Sequence, residues 1–91
     1  MERFSLLGLC VPAWARRRVL LVAPGGERAY DPAEWRGALV VVEHGEIELV
    51  THAGERARFA RGDVLVLSGL PLRALHNRGT EPAVLASMTR R

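Results

Sequence analysis

Residues 38–50 read ALVVVEHGEIELV and decide the fold class. An apolar run with three consecutive valines leads to Gly45, which permits a tight turn. Charged and apolar residues then alternate strictly from Glu46 to Leu49. A period of two places Ile47 and Leu49 on one face and the glutamates on the other, as in a half-buried antiparallel strand. This stretch therefore predicts two β-strands joined by a tight turn.

The same pattern of short strands separated by turns continues along the chain in both directions. Short apolar runs are separated by Gly and Pro at close spacing, which is the pattern of an all-β sandwich or barrel. The predicted strands are 6–11, 18–23, 38–43, 46–50, 56–60, 64–67, 72–76 and 83–88. Only residues 31–36 predict a helical turn, with Asp31 as its cap and Pro32 at its first position. We therefore expect an all-β fold, a single small antiparallel β-barrel or jelly roll.

Length and composition predict one soluble globular domain over residues 1–91. The chain is 48% hydrophobic and 25% charged, and 91 residues are too few for a second core. The single Cys10 cannot form an intrachain disulfide, so we expect a small buried thiol and a reducing, cytoplasmic setting. No stretch approaches the roughly 18 apolar residues of a membrane span, so no membrane association is expected.

Basic residues are concentrated in two short runs. The net charge is +3, and all thirteen basic residues are arginines, including 16–18 and 90–91. Neither run is interleaved with aromatic residues, so both are weak signals for phosphate-backbone binding. We interpret them as solvated surface and expect no nucleic-acid partner.

Three turn segments give the chain a resemblance to the cupin family. Residues 42–46 (VEHGE), 61–64 (RGDV) and 77–83 (NRGTEPA) are similar to consecutive cupin segments, in the same order and at similar separations. They span roughly half of the chain. The resemblance implies a small conserved barrel that forms a homodimer. In that assembly residues 1–11 would be a strand that lies at an edge or crosses to the partner copy.

The resemblance also implies two metal-binding motifs, but the ligand positions carry other residues. The frame is visible in Gly25 or Gly26, Gly45, Gly62 and Asn77. The ligand positions fall on Ala38, on Arg73, and on either Pro32 and Glu34 or Asp31 and Ala33. A guanidinium stays protonated and donates only, so Arg73 cannot replace a histidine ligand. His44, His52 and His76 show no close ligand spacing. We expect no metal and no cofactor.

The first functional hypothesis is a small-molecule binding module. The resemblance implies that Arg73, at a ligand position, points into the barrel, and strand alternation would then place Leu75 and Asn77 on the same side. An inward guanidinium suits a carboxylate or phosphate. The predicted ligand-binding residues are Arg73, Glu34, Trp35 and Asn77, with Tyr30 also at the mouth. A structural ion pair between Arg73 and Glu34 in place of the metal is the open alternative.

Two other classes of function remain open. The domain could be an isomerase, cyclase or dehydratase in which Glu34 is the general base, Tyr30 is an acid and Arg73 polarises a carbonyl. A metal-dependent oxygenase fits less well because its ligands are missing. Alternatively, the domain is a structural or regulatory dimerisation module that uses its apolar N-terminal segment. The sequence does not name a ligand or a substrate.

Overall fold

The structure, a computed structural model, describes residues 15–90. These residues form β1 Ala15–Val22, β2 Glu27–Ala29, α1 Pro32–Trp35, β3 Leu39–His44, β4 Glu46–Thr51, β5 Arg56–Ala60, β6 Val64–Val66, β7 Leu72–His76 and β8 Ala83–Arg90. The predicted strand over residues 6–11, the edge or crossing segment 1–11 and Cys10 lie outside the described residues. No helix in the described range is long and apolar enough to cross a membrane.

The strands divide into two four-stranded antiparallel sheets. One sheet has the order β1-β8-β3-β6, and the other has the order β2-β7-β4-β5. The first strand pairs with the last over its full length, and successive strands repeatedly change sheet. This connectivity is that of an eight-stranded jelly roll. The predicted all-β antiparallel fold is therefore confirmed.

The inner faces of both sheets supply one apolar core. Val40, Leu65 and Leu85 come from the first sheet, and Ile47 and Leu75 come from the second. All five side chains are buried, and Val40, Leu75 and Leu85 have no exposed surface. Alternation along each strand explains why their neighbours in sequence lie on the outer faces.

Gly45 joins β3 to β4 at a position that only glycine fits. Its φ is 73°, in the left-handed region that side chains rarely adopt. A Cβ atom at this position would lie 2.6 Å from the carbonyl oxygen of Pro82. The turn therefore packs directly against the segment that leads into β8.

One predicted element is confirmed and one observed strand was missed. Asp31 caps α1, because its Oδ1 accepts a hydrogen bond from the backbone N–H of Ala33 at 3.0 Å. β2, in contrast, lies between 18–23 and 38–43, where the sequence predicts no strand. Its residues show no apolar alternation, and it is held by pairing with β7 at the edge of the sheet.

The predicted inward orientation of Arg73 is wrong. The register between β4 and β7 shifts so that Thr51 stands opposite Leu72. Leu72 and Leu75, three residues apart, both lie in the core, which regular alternation does not allow. Arg73 is instead half exposed and pairs with Glu27 at 3.2 Å.

Candidate functional site

The arginine run of β1 is divided between the two faces of its sheet. Leu20 packs against the core, and alternation places Arg18 and Arg16 on the same inner face. Arg17 lies on the outer face, where it forms an ion pair with Glu43 at 2.6 Å. All three arginines are exposed, as the interpretation of the run as solvated surface predicts, and two of them lie on the inner side of the sheet.

The inner face of β1 and β8 opens, beside α1, into a polar cavity of about 320 Å³. Ser87 and Thr89 of β8 stand opposite Arg18 and Arg16 in the strand register. Arg36, which follows α1, adds a third guanidinium. We name this cavity the arginine pocket, and its lining residues are Arg16, Arg18, Ala33, Glu34, Arg36, Ser87 and Thr89.

Glu34 is the acidic residue of the arginine pocket, and its side chain is only 16% exposed. Its Oε2 accepts a hydrogen bond from Arg18 at 3.0 Å and another from Arg28 of β2. Burial alone would raise the pKa of Glu34, but the hydrogen bonds and charges of Arg28 and Arg18 outweigh burial and lower it. The carboxylate is therefore ionised throughout the neutral range.

Glu34 thus has two arginine partners, and neither is the predicted one. Arg28 lies opposite Leu75 in the register between β2 and β7. It lies on the same face of the chain as Tyr30, which packs against the core. The alternative of an ion pair between Glu34 and Arg73 is wrong, because the displaced register of β7 keeps Arg73 beside Glu27.

The solved structures that match most of this chain include two cupin domains. A Cupin_2 domain of an XRE family transcriptional regulator from Enterobacter cloacae aligns with a TM-score of 0.65 and 24% identity, covering 86% of this chain and 82% of that one. A Cupin 2 conserved barrel domain protein from Salinispora arenicola aligns with a TM-score of 0.62 and 25% identity, covering 86% of this chain and 64% of that one. The chain has the cupin fold. No family model matches the sequence, and no curated protein matches it.

The positions that correspond to cupin metal ligands do not form a metal site. Ala38 is buried in the core, and Arg73 pairs with Glu27. Within residues 15–90, no group of three or more His, Cys, Asp or Glu side chains is arranged to hold a metal ion. The donor set of this part of the cupin domain therefore does not fit a bound metal.

The two predicted aromatic residues of the mouth help to build the core. Trp35 is 3% exposed and belongs to the core cluster, so the prediction that it lines the mouth is wrong. The hydroxyl of Tyr30 donates to the carbonyl oxygen of Leu67 at 3.3 Å. Both side chains are large and apolar, and they fill the end of the barrel beneath α1.

Asn77 is completely buried, and its side chain connects the end of β1 to the turn between β7 and β8. Its Nδ2 donates to the carbonyl oxygens of Val22 at 2.9 Å and Glu81 at 2.8 Å. Its Oδ1 accepts from the N–H of Gly79 at 2.9 Å. Since both amide hydrogens are used within the fold, we replace the interpretation of Asn77 as a ligand-binding residue with a structural one.

Two buried side-chain donors lack an acceptor among the described residues. They are Nε of Arg28 and Nε1 of Trp35. Buried donors without a partner are rare in folded proteins, and ordered water or a ligand usually satisfies them. Arg28, which also binds Glu34, thus keeps one buried donor without an acceptor beside this carboxylate.

A second ionic cluster lies on the outer face of β4. The Glu48 side chain is 6% exposed and accepts from Arg56 at 2.7 Å, with His76 and Arg78 each at 3.7 Å. Burial raises the pKa of Glu48, but the hydrogen bond from Arg56 and the surrounding positive charges lower it overall. Arg56 also borders a mostly apolar cavity of about 230 Å³, and the cluster serves to neutralise a buried carboxylate.

At the end of the barrel opposite the arginine pocket there is a larger cavity of about 540 Å³. His44 and Glu81 lie 3.3 Å apart there, and their side chains are 54% and 67% exposed. Glu46 and Arg61 also line it, so its charges are mixed. The arginine pocket differs because one sign of charge dominates it.

Proposed function

We propose that this cupin domain binds a small organic anion in the arginine pocket. The observation that carries the proposal is the excess of positive charge on the inner face of the barrel. Arg16, Arg18 and Arg36 line the pocket, and Glu34 is its one acidic lining residue. Glu34 is already shared between Arg18 and Arg28.

The chemistry of the lining suits carboxylate or phosphate oxygens. Guanidinium groups bind these oxygens through paired, charge-assisted hydrogen bonds. The hydroxyls of Ser87 and Thr89 can donate to the same ligand. Arg16 and Arg36 form no ion pair with any other described residue. An anion supplied from solution would neutralise them.

Catalysis of the isomerase type receives less support than binding. An effective general base at neutral pH has a pKa near 7, whereas the pKa of Glu34 is lowered. The hydroxyl of Tyr30, the proposed acid, is directed to a backbone carbonyl. The Enterobacter cloacae relative is a domain of a transcriptional regulator, and a ligand-binding domain is a suitable component of such a protein.

Arg16 and Arg17 lie on opposite faces of β1, so substituting each of them tests the proposed anion site. Thermal-shift and calorimetric titrations with small carboxylates and phosphate would compare the wild type with Arg16→Gln and the matched control Arg17→Gln. A ligand at ten times its Kd stabilises by about 1.4 kcal/mol, which raises Tm by roughly 6–11 °C. We expect Arg16→Gln to weaken binding at least tenfold and Arg17→Gln to leave it unchanged. An equal effect of the two substitutions, or no stabilisation by any acid, would remove the arginine pocket as a binding site.

We also propose a homodimer formed through the outer face of the sheet that contains β1. Val19 and Leu21 of β1 are 51% and 68% exposed, and Val64 and Val66 of β6 are 44% and 61% exposed. The strand register places all four on the same face. An identical face of a second copy offers a matching apolar surface around a two-fold axis.

A further inference from the structure

We infer that the ligand of the arginine pocket carries at least two negative charges and displaces Glu34 from Arg18. This inference rests on the proposed function and specifies the chemical class of the ligand. Dicarboxylates, tricarboxylates and phosphate compounds share the required chemistry.

The unpaired cations set the charge of the ligand. Arg16 and Arg36 line the arginine pocket without an ion-pair partner among the described residues. A monocarboxylate can neutralise one of them and leaves the other unmatched. A ligand with two anionic groups matches both, and a third anionic group can compete for Arg18.

Glu34 is positioned to give up Arg18 without leaving the pocket. Both of its hydrogen bonds converge on Oε2, so the bond from Arg28 can persist when Arg18 turns to a ligand. The side chain of Arg18 is 50% exposed and can be reached from solution. Glu34 therefore acts as an internal counter-ion that any anion must outcompete at Arg18.

The volume of the pocket limits the size of the ligand. About 320 Å³ is at the lower end of the range of roughly 300–1,000 Å³ that small-molecule sites occupy. A small acid with two or three carboxylates, or a compact phosphate ester, is of suitable size. The polar lining of arginines and hydroxyls favours such compounds over large apolar acids.

A charge series of ligands tests the inference. Propionate, succinate, citrate and inorganic phosphate would be titrated at constant ionic strength into the wild type, Glu34→Gln and Glu43→Gln. Glu43 provides the matched control because it is also paired with an arginine, Arg17, but on the outer face of the sheet that contains β1, away from the arginine pocket. We expect succinate, citrate or phosphate to bind the wild type at least tenfold more tightly than propionate. Glu34→Gln should tighten propionate binding severalfold, and Glu43→Gln should not.

The outcomes separate this inference from the proposed function. If none of the four compounds binds the wild type or Glu34→Gln, the proposed function fails. If propionate binds the wild type as tightly as succinate, citrate and phosphate do, or if Glu34→Gln behaves like Glu43→Gln, the inference fails and the binding function stands. The ranking of phosphate against citrate identifies the preferred anionic group. Should Glu34→Gln not fold, Arg18→Gln replaces it. Citrate should bind the wild type more tightly than succinate because its third carboxylate reaches Arg18, and Arg18→Gln should abolish that advantage. A preserved advantage, or none in the wild type, would overturn the inference.

Discussion

Replacing Asn77 with alanine should destabilise the domain strongly without changing the arginine pocket. The Asn77 side chain has no exposed surface, and its amide joins the end of β1 to the turn between β7 and β8. Asn77→Ala removes three hydrogen bonds and leaves the carbonyl oxygen of Val22 buried without that donor. The effect should therefore appear in the free energy of unfolding rather than in ligand affinity.

The size of the loss follows from the burial of each partner. Leaving the buried carbonyl of Val22 unsatisfied costs about 1–3 kcal/mol, and each of the two partly buried bonds contributes about 0.5–1.5 kcal/mol. The total of about 2–6 kcal/mol, centred near 4 kcal/mol, is a large share of the roughly 5–14 kcal/mol that stabilises a domain of 91 residues. A loss of about 4 kcal/mol corresponds to a fall in Tm of roughly 16–32 °C. Asn77→Asp should cost more, because it places a carboxylate against two carbonyl oxygens.

Urea unfolding followed by circular dichroism would measure the loss. Thr80→Ala is the matched control, since Thr80 is exposed in the same turn and should change stability by less than about 0.5 kcal/mol. A loss below about 1 kcal/mol for Asn77→Ala, or a loss no greater than that of the control, would refute the structural assignment. Retained stability together with lost anion binding would restore Asn77 as a ligand-binding residue.

Three further predictions concern a turn, a buried carboxylate and the outer face. In urea unfolding, Gly45→Ala should lower the free energy of unfolding by about 2–4 kcal/mol, because its Cβ would meet Pro82. Gly54→Ala is the control: Gly54 has a φ of 89° and open space around it, so the loss should be about 1–2 kcal/mol. Equal losses would exclude the contact with Pro82 as the cause. The pKa of Glu48 is lowered by folding, so its contribution is complete above about pH 4.3 and is lost as pH falls through the folded pKa. Acid titrations should therefore show a shallower loss of stability for Glu48→Gln, and an unchanged slope would contradict this. Val66→Glu should convert a dimer into a folded monomer in light scattering, with a lower Tm because the monomer loses the stabilisation by its partner. A monomeric wild type would remove the proposed dimer.

The parts of the fold that sequence predicts correctly are those set by local alternation. Residues 38–50 show a period of two and a glycine turn, and the structure places β3, β4 and Gly45 there. Ile47 and Leu49 lie in the core as alternation requires. Such patterns depend on neighbouring residues only, so they can be recognised without knowledge of the partner strands.

The candidate site was predicted less completely because it depends on pairing between distant strands. The register shift that turns Arg73 away from the core arises between β4 and β7. No pattern among the neighbouring residues in the sequence predicts this shift. Glu34 was found through the resemblance, whereas its partner Arg28 lies on β2, a short polar strand without alternation. Trp35 was placed at the mouth because aromatic residues suit binding sites, but burial of its large apolar surface prevailed.

The arginine pocket itself could have been predicted by extending one strand. Leu20 and Val22 of β1 face the core, so the same alternation carried back along the chain places Arg18 and Arg16 on the inner face. When residues 16–18 are described only by their composition, as a run of three positive charges, the alternation of their side chains between the two faces is not apparent. A strand separates adjacent residues onto opposite faces, which is why Arg17 has a different environment from both of its neighbours.

The position of the pocket follows from a change of polarity along two paired strands. On the inner face of β1 and β8, the pair Leu20 and Leu85 belongs to the apolar core. The next pair along the same face is Arg18 with Ser87, followed by Arg16 with Thr89. The centre of the barrel is filled by side chains, so polar chemistry is confined to its rim. An anion entering from this end therefore meets the guanidinium groups before the core, and any apolar part of that ligand would lie towards Leu20.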